Sequence, residues 1–91
     1  MKIKYTQTFK RDYKRFNKKH YDMSKLDSAI NAILEQNKNE LIRFKDHRLI
    51  GEWSGFRELH LESNWLLIYR IEAECLYLTL TRLGSHNDLF K

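Results

Sequence analysis

Three histidines are the residues of this sequence best suited to chemistry. His47 lies in an irregular segment, His60 in a strand-like stretch, and His86 near residue 90. Imidazole exchanges protons near neutral pH because its unperturbed pKa is about 6.5. Two or three imidazoles near one point suit cleavage of an RNA phosphodiester, in which a base deprotonates the 2′-hydroxyl and an acid protonates the departing 5′-oxygen. The open alternative is that each histidine is an ordinary surface or hydrogen-bonded residue.

A site that cuts RNA also needs groups that stabilise charge and hold bases. Arg82 or Arg57 offers a cation for the negative charge that builds up on the phosphorane. Trp65 or Phe90 offers a ring on which an unpaired base can stack. The alternatives are structural: Arg57 pairs with a surface carboxylate, and Trp65 packs in the core.

A metal site is the less favoured interpretation of the histidines, so we predict no metal ligands and no cofactor. The sequence has no His-x-x-x-His or other paired spacing. Its one cysteine, Cys75, excludes a thiolate zinc cluster and a disulfide within the chain, which fits a reducing cytoplasm. The alternating residues around Cys75 predict a buried, inert thiol in a strand. No leader-like segment opens the chain and no run approaches the roughly 20 apolar residues of a membrane span, so we expect a cytoplasmic protein.

Positive charge is concentrated in the first half of the chain. Residues 1–50 carry 13 Lys and Arg against 6 Asp and Glu, whereas residues 51–91 carry 4 against 6. The net charge is +5. This asymmetry favours a polyanion or an acidic protein as the partner. The alternative, which composition leaves equally open, is a solvated basic surface that keeps the protein in solution.

The first half of the chain predicts a short strand and two helices. "KIKYT" alternates as a strand does. From Thr8 onward, Phe9, Tyr13, Phe16 and His20 recur at helical spacing. The outer surface of this helix is basic and could follow RNA phosphates; its cations are Lys10, Arg11, Lys14, Arg15 and Lys18.

The second helix is predicted over residues 24–40. Ser24 is expected to cap it in an approximate capping box with Asp27. Its buried stripe comprises Leu26, Ile30, Ile33 and Leu34. The short link between the two helices predicts a helical hairpin.

The second half of the chain predicts three antiparallel strands. "GFRELHLE", "WLLIYRIE" and "CLYLTLTRL" are rich in aromatic, leucine and β-branched residues. Their connections are too short for crossover helices, so the strands form a meander. "WLLIYRI" is apolar on both sides, which is typical of a central strand. The predicted fold is α+β, a βααβββ domain over residues 1–91, with the helical hairpin on one face of a small antiparallel sheet and the other face free.

The segment before these strands, "RFKDHRLIGEWSGF", has neither a helical nor a strand period. Loops of this length in small domains tend to be functional. In "RELHLE", His60 shares its side of the strand with Glu58 and Glu62, which places it on the polar face. If the loop folds back over the sheet, His47, His60 and His86 converge.

The order of these segments resembles the YafQ branch of the RelE-type toxins of bacterial toxin–antitoxin pairs. The similarity is close over about residues 44–90, in "KDHRLIGEWSGFRELHLE", "WLLIYRI" and "LTRLGSHNDLF". The basic hairpin before them agrees in character and length. The ordered series Asp-His-x-Leu, Gly-x-Trp, Phe-Arg-Glu-x-His, Leu-Leu-Ile-Tyr and Arg-x-Gly-Ser-His is specific as a whole, and it implies a RelE-like fold.

The resemblance implies a ribosome-dependent mRNA endoribonuclease that inhibits translation. Such toxins cut messenger RNA in the ribosomal A site by attack of the 2′-hydroxyl, leaving a cyclic phosphate and a free 5′-hydroxyl. Carried over to matching positions, the catalytic histidines are His47, His60 and His86. Arg82 is then the residue that stabilises the phosphate, and Phe90 helps to hold the message.

The resemblance also implies the partners. These are a DinJ- or RelB-like antitoxin, joined to the toxin in a heterotetramer, and the 70S ribosome with its mRNA and rRNA. The basic first helix would lie against ribosomal RNA. Operator DNA would be bound only through the antitoxin, and no membrane is involved.

One catalytic position departs from the family pattern. Asn64 stands where an acid is expected, and an amide forms hydrogen bonds but does not accept a proton at neutral pH. Two readings follow. Either His60 or His47 takes the role of base, or the protein is a weakened, toxin-like module that binds the ribosome or the antitoxin without cleaving.

Overall fold

The computed structural model describes residues 1–90, which form one five-stranded sheet with helices around it. The strands are β1 (Lys2–Tyr5), β2 (His47–Arg48), β3 (Arg57–Glu62), β4 (Trp65–Glu72) and β5 (Tyr77–Gly84). The helices are α1 (Gln7–Lys18), α2 (Met23–Leu34), α3 (Lys38–Arg43) and α4 (His86–Leu89). A 3-10 turn, Gly51–Trp53, precedes β3. Among residues 1–90, no helix is long and apolar enough to cross a membrane.

The strand order is β1-β5-β4-β3-β2. Strands β3, β4 and β5 pair antiparallel, and β4 lies at the centre, which confirms the predicted meander and its middle strand. The α+β class and the βααβββ framework are confirmed as well. The sheet is mixed, because β1 pairs parallel with β5.

Helix α1 follows the predicted period on its apolar side. Phe9 and Phe16 are buried, and the Thr6 hydroxyl caps the helix by accepting the backbone N–H of Phe9. Asp12 shares this buried side with only 6% of its surface exposed, which the apolar pattern did not predict. The helix ends at Lys18, so His20 lies beyond it, exposed and with a φ of 61°.

The second helix is shorter than predicted. The chain leaves the helical conformation at Gln36, whose φ is 53°. A new helix, α3, then begins after Asn37, whose side chain accepts the backbone N–H of Glu40. A residue with a positive φ, followed directly by a good N-cap, therefore divides a region whose composition looked continuous.

The start of α2 also differs from the prediction. Asp22, rather than Ser24, is the N-cap, and its carboxylate accepts the backbone N–H of Ser24. The predicted buried stripe is present: Leu26 and Ile33 are fully buried and the two other members are partly buried. Helices α1 and α2 both contribute to the main core with the sheet face formed by Leu59, Leu67, Leu78, Leu80 and Leu83.

The opposite face of the sheet is not free, so that prediction is wrong. Leu66 and Ile68 of β4 are fully buried there. A second apolar cluster covers them, and its other members are Leu49, Trp53, Phe56, Leu89 and Phe90. The loop before β3 and the short α4 therefore fold over this face.

Two further sequence predictions are wrong. Trp65 is 1% exposed and packs in the main core against the rings of Phe16 and Tyr21, so it is no platform for RNA bases. Cys75 is exposed in a tight turn with a φ of 73°, not buried in a strand. The strand begins later than its alternating pattern indicated, at Tyr77.

Candidate functional site

The three histidines converge, as the sequence predicted. His47 comes from β2, His60 from β3 and His86 from the first turn of α4. The centroids of the His47 and His60 rings lie 6.2 Å apart, and those of His60 and His86 lie 5.8 Å apart. His60 is therefore the middle member of a row of three imidazoles.

Strand register explains how His47 reaches this row. The loop before β3 folds back, and its short strand β2 places His47 opposite Glu58. Glu58 and His60 point to the same side of β3, because they are two residues apart. The loop therefore delivers one imidazole beside another without any close spacing in sequence.

Glu58 is a site residue whose importance the sequence analysis missed. It is 3% exposed, and its Oε1 lies 3.5 Å from His47 Nε2 and 3.2 Å from His60 Nε2. A buried carboxylate needs hydrogen-bond or charge partners, and the two imidazoles are charge partners for it when they are protonated. Glu58 thus contacts both rings. The sequence does show that Glu58 and His60 point to the same face of β3. It does not show that the Glu58 side chain is buried on that face.

The Nδ1 atom of His47 is anchored to the backbone. It lies 2.8 Å from the carbonyl oxygen of Lys45. A carbonyl only accepts hydrogen bonds, so His47 Nδ1 carries a proton. In the neutral ring, Nε2 is therefore the unprotonated nitrogen, and it faces the Glu58 carboxylate. Nε2 is thus the ring nitrogen that can accept a proton, and the Glu58 carboxylate is the group next to it.

Asn64 holds His86 at the other end of the row. Its Oδ1 accepts the backbone N–H of His86 at 3.1 Å and lies 3.3 Å from His86 Nδ1. An amide oxygen accepts only, so His86 Nδ1 is the protonated nitrogen and Nε2 is left for other partners. Asn64 therefore orients His86 rather than exchanging protons itself.

Helix α4 explains why large apolar residues lie so close to residue 90. Leu89 is buried in the second cluster, and the half-buried Phe90 ring lies 6.0 Å from the rings of both Trp53 and His86. The helix is also fixed at its start, where Ser85 and Asp88 form a capping box. The backbone N–H of Ser85 lowers the pKa of Asp88. Residues 85–90 are thereby packed against the site.

Arg82, the predicted phosphate ligand, is paired with Asp12 of α1. Its Nε donates to Asp12 Oδ2 at 2.9 Å and its Nη2 to Oδ1 at 3.3 Å. Its side chain remains 27% exposed. In the sheet, Arg82 lies opposite Ile68, on the face that the second cluster covers.

Arg57, the other candidate cation, pairs with a carboxylate, which is the structural alternative to a role in RNA binding. Its Nε and Nη2 donate to Asp46 Oδ2 at 3.1 and 2.7 Å. The hydroxyl of Tyr69 donates to the other oxygen of Asp46. Burial, followed by the negative charge of Asp46, raises the pKa of Tyr69. This cluster fixes the residue that precedes His47.

The basic stripe of α1 lies on the surface, as predicted. Its exposed members are Lys10, Arg11, Lys14, Arg15 and Lys18. Arg15 also joins α1 to the site, because its Nη2 lies 3.3 Å from Asp88 Oδ2 in α4. A continuous link therefore runs from the basic helix to the segment that carries His86.

Three residues of the site form a possible metal-ligand set. Donor atoms of His47, Glu58 and His60 all lie within 4.8 Å of one another. Histidine nitrogen and carboxylate oxygen are ligand types that Zn²⁺ accepts. Linear spacing could not indicate this set, because the pairing of β2 with β3 creates it.

Several solved structures that share this fold are described as YafQ or as toxins. YafQ from Escherichia coli BL21(DE3) superposes with a TM-score of 0.88 at 32% identity, covering 98% of this chain and 97% of that one. A metal-bound toxin from Helicobacter pylori superposes with a TM-score of 0.85 at 33% identity, covering 99% of each chain. YafQ in the E. coli DinJ–YafQ complex gives a TM-score of 0.82 at 35% identity, covering 98% and 97%.

Sequence comparison agrees with the structural match. The family model described as "Bacterial toxin of type II toxin-antitoxin system, YafQ" matches residues 1–91. The mRNA interferase toxin YafQ of E. coli K12 is 34% identical over 88 residues, which are 97% of this chain and 94% of that protein. The chain belongs to the YafQ family of type II toxin–antitoxin toxins, as the resemblance of its motifs indicated.

Proposed function

We propose that this toxin is a ribosome-dependent mRNA endoribonuclease that cuts messenger RNA in the A site and so inhibits translation. The observation that carries the proposal is the row formed by His47, His60 and His86, with ring centroids 6.2 and 5.8 Å apart. Its relatives in E. coli are named mRNA interferase toxins, which supports the same substrate class.

The two ends of the row take different parts in the proposed reaction. At one end, His47 or His60 beside Glu58 removes the proton from the 2′-hydroxyl, whose oxygen attacks the adjacent phosphorus. At the other end, His86 in its imidazolium form, oriented by Asn64 through Nδ1, gives its Nε2 proton to the 5′-oxygen as the bond from that oxygen to phosphorus breaks. The products are a 2′,3′-cyclic phosphate and a free 5′-hydroxyl. Each proton transfer contributes about 10²- to 10⁴-fold to the rate.

Arg82 and Phe90 complete the proposed site. Arg82 stabilises the negative charge that develops on the phosphorane, since a fixed cation close to the reaction acts most strongly at the transition state. Phe90, half-buried beside His86, offers part of its ring to a base. A single, partly exposed ring makes only a small contact with single-stranded mRNA, so we assign most of the positioning of the RNA to the ribosome.

The basic stripe of α1 is the proposed contact with ribosomal RNA. Each Lys or Arg that neutralises a phosphate releases condensed counterions, so a row of exposed cations favours a polyanion. The link from Arg15 to Asp88 places this stripe next to the segment that carries His86. A bound ribosome would therefore meet both the cations and the histidines.

The proposed inhibitor is a DinJ- or RelB-like antitoxin that joins the toxin in a heterotetramer and binds operator DNA. YafQ of E. coli has been solved in complex with DinJ, and that structure shares the fold of this chain. An acidic segment of the antitoxin would complement the excess of positive charge in residues 1–50. The setting is the bacterial cytoplasm, where ribosomes and messenger RNA are found.

The function is tested with programmed ribosomes. Purified protein is mixed with ribosomes that carry an mRNA with varied A-site codons, and the new ends are mapped. We expect cuts with free 5′-hydroxyl ends at A-site positions, and none on the same mRNA without ribosomes. Equal cutting of naked mRNA would contradict ribosome dependence. Binding to ribosomes without cuts would support the alternative, a non-cleaving module.

That alternative depends on Asn64, and the two variants Asn64→Asp and Asn64→Ala decide it. A carboxylate oxygen can accept the same two hydrogen bonds from His86, so we expect Asn64→Asp to leave the cleavage rate within about threefold of the parent. Loss of the acceptor in Asn64→Ala should lower the rate about tenfold, the equivalent of one hydrogen bond.

The control for these variants is Asn87→Ala, which changes an exposed amide in α4, the helix that carries His86. Single-turnover cleavage on programmed ribosomes measures all three. A large gain in rate for Asn64→Asp would show that the parent is a weakened enzyme and would contradict the orienting role of Asn64.

We infer a second property from the arrangement of three side chains: His47, Glu58 and His60 bind a divalent metal ion. Their donor atoms lie within 4.8 Å of one another, and a toxin of the same fold from H. pylori is metal-bound. When bound, such an ion supplies Lewis-acid polarisation of a phosphoryl oxygen. It would also occupy the Nε2 atoms of His47 and His60, so metal binding and proton transfer by these residues are alternatives.

Calorimetric titration with Zn²⁺ tests the metal site without reference to activity. We expect one ion per chain and affinity weakened more than about tenfold in His60→Ala, because a direct ligand is lost. His20→Asn, which changes an exposed histidine outside the site, should bind as the parent does. Unchanged binding in His60→Ala would place the ion elsewhere.

A further inference from the structure

Asp12 is a buried carboxylate in the middle of α1 that the proposed reaction does not use. Along with Glu58, it is one of the two buried charged residues in the part of the chain that the structure describes. A charge without partners is costly to bury, so its contacts account for its presence on the apolar side of the helix.

Those contacts surround both carboxylate oxygens. Arg82 holds one edge of the group, with Nε 2.9 Å from Oδ2 and Nη2 3.3 Å from Oδ1. The backbone N–H of Leu83 donates to Oδ2 at 3.0 Å. Arg15 lies at the exposed side, with Nη2 3.9 Å from Oδ1. Asp12 thus binds the side chain of Arg82 and the backbone of the next residue.

The sheet has a gap at the place where Asp12 binds. Strand β1 pairs with β5 only as far as Leu80, so the last residues of β5 have no neighbouring strand on that side. The Asp12 carboxylate replaces the missing strand as the acceptor for Leu83. The same carboxylate draws the guanidinium of Arg82 to this edge through Nε and Nη2, which leaves Nη1 for a phosphate oxygen.

We propose that Asp12 is the positioning residue for Arg82 and that it sets the location of the guanidinium from within the basic helix. The inference rests on the proposed function, in which Arg82 stabilises the phosphorane. A two-point bond fixes both the direction and the plane of a guanidinium, which a single contact does not. Because α1 also carries the cations proposed to contact ribosomal RNA, one helix both meets the ribosome and places the catalytic cation.

The test is a double-mutant cycle of Asp12→Asn with Arg82→Ala. Asparagine has nearly the same shape and can still accept the Leu83 N–H, but it loses the charge and the two-point acceptance. In single-turnover cleavage on programmed ribosomes, we expect Asp12→Asn to lower the maximal rate about 10- to 100-fold, the size of a charge-assisted hydrogen bond. The ribosome concentration at half-maximal rate should change less than about threefold.

Measuring Asp12→Asn in the Arg82→Ala background separates the positioning of Arg82 from a purely structural role of Asp12. If Asp12 acts through Arg82, Asp12→Asn should change the rate less than about twofold once Arg82 is alanine. An equal loss in both backgrounds would overturn the proposal, because Asp12 would then act by holding the edge of β5. Arg82→Lys is the second variant. Lysine keeps the positive charge but lacks the planar guanidinium that donates two bonds at once. We expect Arg82→Lys to lower the cleavage rate as much as Asp12→Asn does, so it tests the proposal even if Asp12→Asn folds poorly.

A nuclear magnetic resonance measurement decides the positioning independently of cleavage. The Nε–H of Arg82 should exchange with water more slowly than that of Arg48, which is exposed. In Asp12→Asn the Arg82 Nε–H should exchange as fast as that of Arg48. If the parent shows equally fast exchange, Asp12 does not hold Arg82, whether or not the protein cuts RNA. If exchange is slow but no mRNA is cut on programmed ribosomes, the proposed function fails and the placement of Arg82 by Asp12 stands.

Discussion

His86→Ala is expected to lower ribosome-dependent cleavage about 10²- to 10⁴-fold, the usual contribution of one proton transfer. The side chain supplies the proposed acid, and no neighbour replaces it, because His60 is already paired with Glu58. The fold should persist, since Asn64 binds the backbone N–H of His86 and that bond survives the change. Single-turnover cleavage and thermal unfolding measure the two effects separately.

The matched control for His86→Ala is His20→Asn. His20 is exposed outside the site and has a φ of 61°, a conformation that asparagine tolerates better than alanine. Cleavage by His20→Asn should stay within about twofold of the parent. If His86→Ala retained half of the parent rate, the histidine row would not be the catalytic site.

Asp46→Ala is expected to lower the free energy of unfolding by about 2–3 kcal/mol. The carboxylate accepts hydrogen bonds from Arg57 and from the hydroxyl of the buried Tyr69. The guanidinium is a third exposed and can turn to water, so most of the loss comes from the unpaired hydroxyl. Urea unfolding followed by tryptophan fluorescence measures the change.

Tyr69→Phe is the companion variant, because it removes the hydroxyl along with its need for a partner. Its loss should be smaller, about 1 kcal/mol, since the Asp46 carboxylate keeps both of its bonds from Arg57. A loss for Asp46→Ala no greater than that for Tyr69→Phe would show that this cluster does not hold the loop before β3.

The raised pKa of Tyr69 adds a pH dependence to the same cluster. The unfolded chain releases the tyrosine proton near pH 10, whereas the folded protein retains it. The contribution to stability is therefore fully present below pH 10 and is lost as the pH rises from there through the folded pKa. Tyr69→Phe should flatten this alkaline decline, and Tyr5→Phe, which changes an exposed ring, should not.

The antiparallel strands and the face that carries His60 could be predicted from sequence because they depend on local rules. Short connections force neighbouring strands to be antiparallel, which predicts the order β3-β4-β5. Apolar residues on both sides of β4 predict its central place, and the period of two places His60 on the polar side of β3. The order of the motifs then identified the family, and with it the three histidines.

Residues with partners far away in the chain could not be assigned in this way. Trp65 was a candidate platform for bases, but only packing against α1 and the turn after it shows that its ring is enclosed. Asn64 was a departure from the family pattern whose effect was left open, and only its contact with His86, 22 residues away, shows an orienting role. A sequence gives the type of each side chain but not which side chains other elements of the fold cover.

What the sequence by itself determined is the βααβββ framework, the family and the three imidazoles, because periodicity, turn length and motif order are properties of neighbouring residues. The tertiary structure decided which charged residues pair with one another in and around the site. Glu58 became the shared partner of two histidines through the pairing of β2 with β3. Asp12 met Arg82, 70 residues away, because β1 ends before β5 does and leaves an edge that only a side chain from α1 can fill.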